Sequence, residues 1–493
     1  MTKSDYSQYK TVSAIPEASS MIETFRAIGY NIQTAIADII DNSISANAKN
    51  VWVNFEWLGS KTWLSIKDDG FGMNNEELIQ AMKPGSKNPL SERTGNDLGR
   101  FGLGLKTASF SQARKLTVLS KKKDYHSVYW TWDLDYVNQI GKWELINYLP
   151  DTQFEKKIED LSSGTIVIWN DIDRIVKNFD KQDVKALDKF LFIMEQVKNH
   201  LAMVFHKFIE ADRLNIFFQD TPVKSWNPFL LNESATQIFP EEKIHNGNVK
   251  IEGYVLPHKS KLSDEQYKEA EGNKGWNEQQ GFYIYRNDRL LLAGDWLGLF
   301  RKEEHYKLAR IQIDLPNTLD AEWQIDIKKS IARPPLVFKE QIRAYAMKVR
   351  GQAVQVYRHK GKSVKRIVGQ KFIPLWVDHK RGDKWFHKIN REHPLLKQVK
   401  SEAKSNPDKA IEELVRFIEE TIPVKSIYIK ESELPDMQGL PFEKSNHQLI
   451  QKTMRDMFTN LLSQGKTDEQ AKSLIANIEP FNNFPHFLEL LTE

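Results

Sequence analysis

The sequence predicts an α+β protein: an α/β sandwich over residues 1–210, a second α/β domain over 211–335, and a mainly helical region over 336–493. Three observations carry that expectation. Helical spacing and strand alternation take turns along the first two thirds of the chain. A glycine-rich Asp68-to-Gly72 turn follows the second expected strand. A length of 493 residues is also too great for one core and suggests about three domains.

Residues 1–16 are polar and lead into a helical pattern, Ile22, Phe25, Ile28, Ile32, Ile36, Ile39 and Ile40, which Gly29-Tyr30 divides in two. Val51, Val53, Phe55 and Trp57 alternate with polar neighbours or Trp52, the pattern of a half-buried strand, and Thr62 to Ile66 forms a second strand that ends at Asp68. Lys115 to Ser120, Ser127 to Trp132 and Thr165 to Trp169 continue that sheet. Phe190, Ile193, Val197, Leu201, Val204 and Phe208 mark a long helix leading into the second domain. There the expected strands are Leu214–Phe218, Val249–Val255, Phe282–Arg286 and Ala309–Leu315, interrupted by a charged, glycine-containing loop over Lys259–Gln280. Pro334-Pro335 closes the domain and opens a long helix. Beyond Gly369 the pattern is mixed, then helical over Asp408–Ile422 and His447–Ser463.

Composition excludes more than it assigns. The absence of cysteine removes disulfides, thiol catalysis and Cys-ligated zinc. A net charge of +4 is small for this length and names no partner. The first residues lack the apolar core of a signal peptide, and no run of about 18 apolar residues follows. The expectation is a soluble, cytoplasmic protein without a membrane partner.

Three motifs stand in one order: Asp38-Ile-Ile-Asp41-Asn42-Ser, Asp68-Asp69-Gly70-Phe71-Gly72-Met73, and Gly99-Arg-Phe-Gly102-Leu-Gly104-Leu-Lys106. On a helix Asp38 and Asn42 lie four apart and share a face, with Asp41 and Ser45 beside them. The Asn42 amide oxygen then suits Mg²⁺, an ion that keeps waters and takes phosphate oxygens, while Asp38 reaches a water beside a γ-phosphate. Asp68 after a strand suits the exocyclic amine of adenine, and the glycines beside it admit close approach of backbone to a base. A plain hairpin turn is the competing reading of Asp-Asp-Gly taken alone. The backbone amides of the third motif, with Lys106, suit phosphate. The Gly-Lys-Ser/Thr ending of a Walker loop is missing.

Together these motifs resemble the GHKL superfamily of gyrase B, the ninety-kilodalton heat-shock chaperones, histidine kinases, MutL and the MORC ATPases. The resemblance implies a Bergerat-type α/β ATPase sandwich using ATP and Mg²⁺, with Asn42 as the Mg²⁺ ligand and Asp38 in the place of the catalytic base. It assigns ATP contacts to Asp41, Asn42, Asp68, Gly70, Gly72 and Met73, and to Gly99, Arg100, Phe101, Gly102, Leu103, Gly104 and Lys106. Ser163-Gly164-Thr165 resembles the fourth motif, with Thr165 holding an adenine-side water, and Pro84-Gly85-Ser86-Lys87 stands where the family has its ATP lid. The match is closest to MutL and to the bacterial MORC-like proteins of restriction or phage-defence systems, on Met21–Tyr30 and Gly281–Leu290. There the second domain is an S5-like transducer that sends a lysine to the γ-phosphate, a role that falls here to Lys328 or Lys329. The family base is usually Glu, so Asp38, one methylene shorter, implies slow turnover. By the same resemblance ATP closes a homodimer, and DNA and other proteins of a defence operon are partners.

Lys339 to Lys371 holds a basic run with Tyr345 and Tyr357 among it, and Arg358, Lys360, Lys362, Lys365 and Arg366 are its candidates for a nucleic-acid backbone. A solvated helix and tail explains such a run equally well. Two further readings share the pocket: a chaperone-like ATPase, and a nucleotide-gated scaffold with little turnover. A histidine kinase would need a phospho-acceptor on an upstream helix, and no histidine precedes His126.

Overall fold

The computed structural model describes residues 9–10, 12, 16–85, 103–177, 179–244, 247–326, 332–358, 376–381, 384–393, 406–433, 447–476, 481 and 484–491. The chain divides into two compact units, Met1–Lys362 and Ser363–Glu493.

The first unit opens with α1 (Ala18–Arg26) and α2 (Ile32–Ser45), separated at the expected Gly29-Tyr30 break. The Asn31 side chain caps α2 by accepting from the Thr34 amide at 2.8 Å, which fixes where that helix begins. Strands β1 (Asn50–Glu56) and β2 (Trp63–Asp68) form an antiparallel pair, followed by α3 (Asn75–Met82) and α4 (Gly104–Phe110). Next come β3 (Lys115–Lys121), β4 (Val128–Asp133), α5 (Leu134–Ile140), α6 (Gln153–Glu159) and β5 (Gly164–Asn170). Helices α7 (Val184–Val204) and α8 (His206–Glu210) lead to β6 (Asn215–Phe218) and β7 (Thr221–Pro222).

These seven strands make one sheet in the order β4-β3-β5-β2-β1-β6-β7. Val51, Val53, Leu64, Ile66, Val118 and Trp169 bury one face in a core shared with Ile22, Ile36, Ile40, Val197 and Leu201 from α1, α2 and α7. One strand falls in a different layer from the sequence reading. The sequence places Leu214–Phe218 at the head of the second domain, but β6 pairs in parallel with β1, so it belongs to the first sheet. Periodicity reveals that a strand exists and not its partner, and this partner lies some 165 residues away, as the Asn215–Asn50 side-chain bond shows.

The second sheet contains β8 (Gln237–Ile238), β9 (Glu242–Ile244), β10 (Val249–Val255), β11 (Gly281–Arg286), β12 (Arg289–Asp295) and β13 (Ala309–Leu315). Its order is β12-β11-β13-β10-β8, with β9 also on β10. The segment Lys259–Gln280 is not a loop: it folds as α9 (Asp264–Glu271) and α10 (Gly275–Glu278). A capping box of Ser263 and Gln266 starts α9, a local signal masked by the charge of the segment. The β11–β12 hairpin turns on Asn287 and Asp288, both left-handed, as a tight two-residue turn requires.

Helix α11 (Leu336–Arg358) lies on this sheet, and so close to β10 that a Cβ on Gly253 would sit 2.4 Å from Val349 Cγ2. Several members of the basic run serve this packing. Tyr345 is buried and donates to the Pro240 carbonyl at 2.9 Å, and the Arg350 guanidinium rests on the rings of Phe300 and Tyr306 at 3.9 and 3.7 Å. Lys348 pairs with Glu242 at 3.0 Å. Lys360, Lys362, Lys365 and Arg366 lie outside the described residues, as does the side chain of Arg358.

The second unit holds a hairpin of Trp376–Arg381 with Lys384–Ile389. Helices follow at Pro407–Thr421, Val424–Glu433, Gln448–Ser463, Asp468–Ala476 and Pro485–Leu488. Met454, Phe458, Ile475, Phe484 and Phe487 form its core. Among the described residues no helix is long and apolar enough to cross a membrane.

Candidate functional site

Helix α2 is buried on most of its circumference, carboxylates included. Asp38 is 3% and Asp41 2% exposed, whereas Asn42 is exposed. Burying a carboxylate is costly unless a donor or cation meets it. Each of the two has one. The Tyr30 hydroxyl donates to Asp38 Oδ2 at 2.7 Å, and Arg289 Nε lies 3.2 Å from Asp41 Oδ1. Arg289 opens β12 directly after the Asn287-Asp288 turn, so the second sheet reaches the middle of α2 through a buried ion pair.

Asn42 turns its amide nitrogen inward, donating to the Asp38 carbonyl at 3.1 Å. Asn42 is itself exposed, and its side chain carries one amide oxygen besides that nitrogen. That donor suits Mg²⁺, a hard cation that takes an oxygen or two from protein and the rest from water and phosphate. Among the described residues no cluster of three or more His, Asp or Glu side chains occurs.

The Asp68 turn lies across from α2. Asp68 is 6% exposed, and its carboxylate accepts from Ser43 Oγ at 2.8 Å and from the Gly70 amide at 3.0 Å. Burial pushes this carboxyl up to about 6, against the Gly70 and Thr165 amides and the Ser43 hydroxyl, which favour the charged form. It therefore stays an acceptor at neutral pH. Gly72 has φ +64, and a Cβ there would stand 1.9 Å from the Lys121 carbonyl, so only glycine fits. The Met73 amide donates to Ser120 Oγ at 2.9 Å, and Ser120 meets Thr165 Oγ1 at 2.9 Å. Asp68, Gly70, Met73, Ser120 and Thr165 thus form one hydrogen-bonded patch at adjoining ends of β2, β3 and β5, with Gly72 packed against it.

Helix α4 completes the described wall. A Cβ on Gly104 would lie 3.7 Å from Asp38 Oδ2, which puts the start of α4 beside the Asp38 carboxylate. Lys106 is buried and donates to the Ala81 carbonyl at 2.8 Å, so its ammonium ties α4 to the end of α3. Leu103 precedes this helix, while Ser86, Lys87, Gly99, Arg100, Phe101 and Gly102 lie outside the described residues. Lys328 and Lys329 also lie outside them. The residue just before that stretch, Asp326, bears electrostatically on Tyr30.

Sequence reasoning missed Tyr30, Ser43, Ser120 and Arg289 as members of this site. Ser43 closes the first motif with no role attached, and Ser120 had no signal beyond being small and polar. Tyr30 and Arg289 stood inside the two segments that resemble MutL and MORC proteins, but with no role attached.

An acid and amide on a half-buried helix, facing a carboxylate turn that only glycine can make, is the geometry of a nucleotide-binding α/β sandwich. Residues 30–165 match the family described as histidine kinase-, DNA gyrase B-, and HSP90-like ATPase, and this segment is a GHKL ATPase domain. The chain is 34% identical over 89 residues to "ATPase morc-1" of Caenorhabditis elegans, covering 18% of this chain and 10% of that protein. It is 30% identical over 142 residues to "Chaperone protein HtpG" of Helicobacter pylori, covering 26% and 22%. For the protein of that name in Rickettsia bellii the figures are 28% over 163 residues, 31% and 23%. The chain thus spans less than a quarter of the length of these curated relatives.

Proposed function

We propose that this chain binds Mg·ATP between α2, the Asp68 turn and the start of α4, and hydrolyses it slowly. The observation that carries the reading is the division of labour on α2: Asp38 is buried and held by the Tyr30 hydroxyl, while Asn42, one turn on, is exposed. In this reading Asp68 accepts the adenine amine, with Gly70, Gly72, Met73 and Thr165 shaping the floor beneath the base. Asn42 holds Mg²⁺, which neutralises triphosphate charge. Asp38 takes the proton of a water as its oxygen bonds to the γ-phosphorus and the bond to the β–γ bridging oxygen breaks, a role worth about 10²–10⁴-fold.

The wider reading is that ATP orders the lid at Ser86-Lys87, brings Lys328 or Lys329 from an S5-like transducer to the γ-phosphate, and favours a closed homodimer by differential contact. DNA is the proposed substrate, held by Arg358, Lys360, Lys362, Lys365 and Arg366, and restriction or phage defence the proposed setting. The similarity to a protein named ATPase morc-1 supports the ATPase. A chaperone reading has its own support in the similarity to HtpG. One assay separates them: phosphate release by the wild type and Asp38→Asn, alone, with duplex DNA, and with an unfolded protein. Release that is lost in Asp38→Asn and stimulated by DNA alone is expected. Stimulation by unfolded protein alone moves the reading to the chaperone, and equal release by both proteins removes the hydrolytic role of Asp38.

A further inference from the structure

We infer that Tyr30 is a positioning residue for hydrolysis: its hydroxyl, bonded to Asp38 Oδ2, sets the direction and reach of the carboxylate that takes the proton of water. The inference rests on Asp38 being the base, as proposed above.

Tyr30 lies in the turn between α1 and α2, eight residues before Asp38, and is 7% exposed. Both of its ends are anchored. Its carbonyl accepts from the Nε2 of buried Gln112 at 3.0 Å, and its hydroxyl donates to Asp38 at 2.7 Å. The next residue, Asn31, caps α2 through the Thr34 amide, so ring and carboxylate are carried by one rigid corner of the chain. From α4, Gly104 leaves room beside the same Asp38 oxygen. Asp326 bears on the phenol from the segment that leads toward Lys328. Burial, then the Asp38 charge, holds the phenol firmly protonated, so Tyr30 donates to Asp38 and does not compete with it for a proton.

Packing alone does not require this arrangement, because a phenylalanine ring fills the same space. What the hydroxyl adds is a fixed point for a carboxylate on a short side chain. A misplacement of about 1 Å at a reacting group costs roughly 10²-fold in rate. An aspartate carboxylate swings through such a distance by changing a single side-chain torsion.

The test compares wild type, Tyr30→Phe, Asp38→Asn and the double variant, by single-turnover phosphate release and by calorimetry with a non-hydrolysable imido analogue of ATP. Tyr30→Phe should lower turnover by about tenfold or more while changing analogue affinity less than about twofold. In the Asp38→Asn background the same change should cost nothing further, because the carboxylate it positions is gone. Wild-type turnover in Tyr30→Phe overturns the inference, as do losses that multiply across the double variant. Loss of analogue affinity by Tyr30→Phe overturns it too, since the role is then structural. If Asp38→Asn is inactive and Tyr30→Phe is not, only this inference fails. If Asp38→Asn hydrolyses at the wild-type rate, the assignment of the base fails and takes the inference with it.

Discussion

Replacing Arg289 by alanine probes a buried ion pair that joins the second sheet to α2. At 3.2 Å, with an effective dielectric near 20, the gross attraction between Arg289 and Asp41 is about 5 kcal/mol. Much of that offsets desolvation, since the two side chains are 5% and 2% exposed. Removing one partner is different, because Asp41 stays buried without this cation, and the resulting destabilisation runs to about 3–5 kcal/mol. Arg289 also lies 5.5 Å from the Phe205 ring and donates to the Leu290 carbonyl, and alanine makes neither interaction. Arg289→Ala is therefore expected to lower the stability of this unit by about 3–5 kcal/mol in urea unfolding followed by tryptophan fluorescence. Arg289→Ala with Asp41→Asn should be less damaged than the sum of the two single effects, by about 2–3 kcal/mol, because an amide tolerates the site better than a buried charge that has lost this cation. Nucleotide affinity should fall in Arg289→Ala as well, since Asn42 is the next residue on the helix. A single variant within about 0.5 kcal/mol of wild type, or strict additivity in the double variant, would refute the coupling between the sheets.

Asp68 supplies a pH dependence. Because burial raises its carboxyl from 3.8 to about 6, its folded-state stabilisation is full below the unfolded value and is lost as pH rises through about 6, while acceptance of the adenine amine needs the ionised form. ATP affinity relative to Asp68→Asn should weaken as pH drops through 6, approaching about tenfold per unit, and parallel curves for the two proteins would contradict this. Gly72→Ala should cost at least about 2 kcal/mol and most nucleotide binding, from the left-handed backbone and the Lys121 carbonyl in its way. A thermal melt and calorimetry check it, and wild-type behaviour would mean that the turn relaxes freely. For the basic run, joint charge reversal of Arg358, Lys360, Lys362, Lys365 and Arg366 should flatten the salt dependence of duplex binding, since each phosphate contact contributes a slope of about −0.9. An unchanged slope removes the run from the interface.

What is legible in the chain is what is local. Helical and strand periods locate α1, α2 and most strands, because burial of one face writes itself into consecutive residues. The Asp68 turn is legible for the same reason: Gly72 is forced by its own backbone and one facing carbonyl. The reach of Arg289 to Asp41 spans 248 positions and depends on how two sheets pack, which no local pattern records. Pairing of β6 with β1 is of the same kind. Lys106 shows a different limit. Its place in a glycine-rich motif suggests phosphate, and the Ala81 carbonyl that its ammonium meets had no signal in the sequence, because a side chain that long reaches several partners from one backbone position. In the basic run, Tyr345 and Arg350 resemble recognition residues by type but are packing residues, because aromatic and cationic side chains serve both ends.

The central claim is that α2 presents one amide oxygen to a metal-bound triphosphate while its carboxylates are held for other work. Calorimetry of ATP with Mg²⁺ against the wild type and Asn42→Ala tests it most directly, with each titration repeated in excess chelator. The account predicts binding by the wild type that depends on Mg²⁺, and none measurable by a folded Asn42→Ala. Equal, metal-independent affinity in both proteins would contradict it.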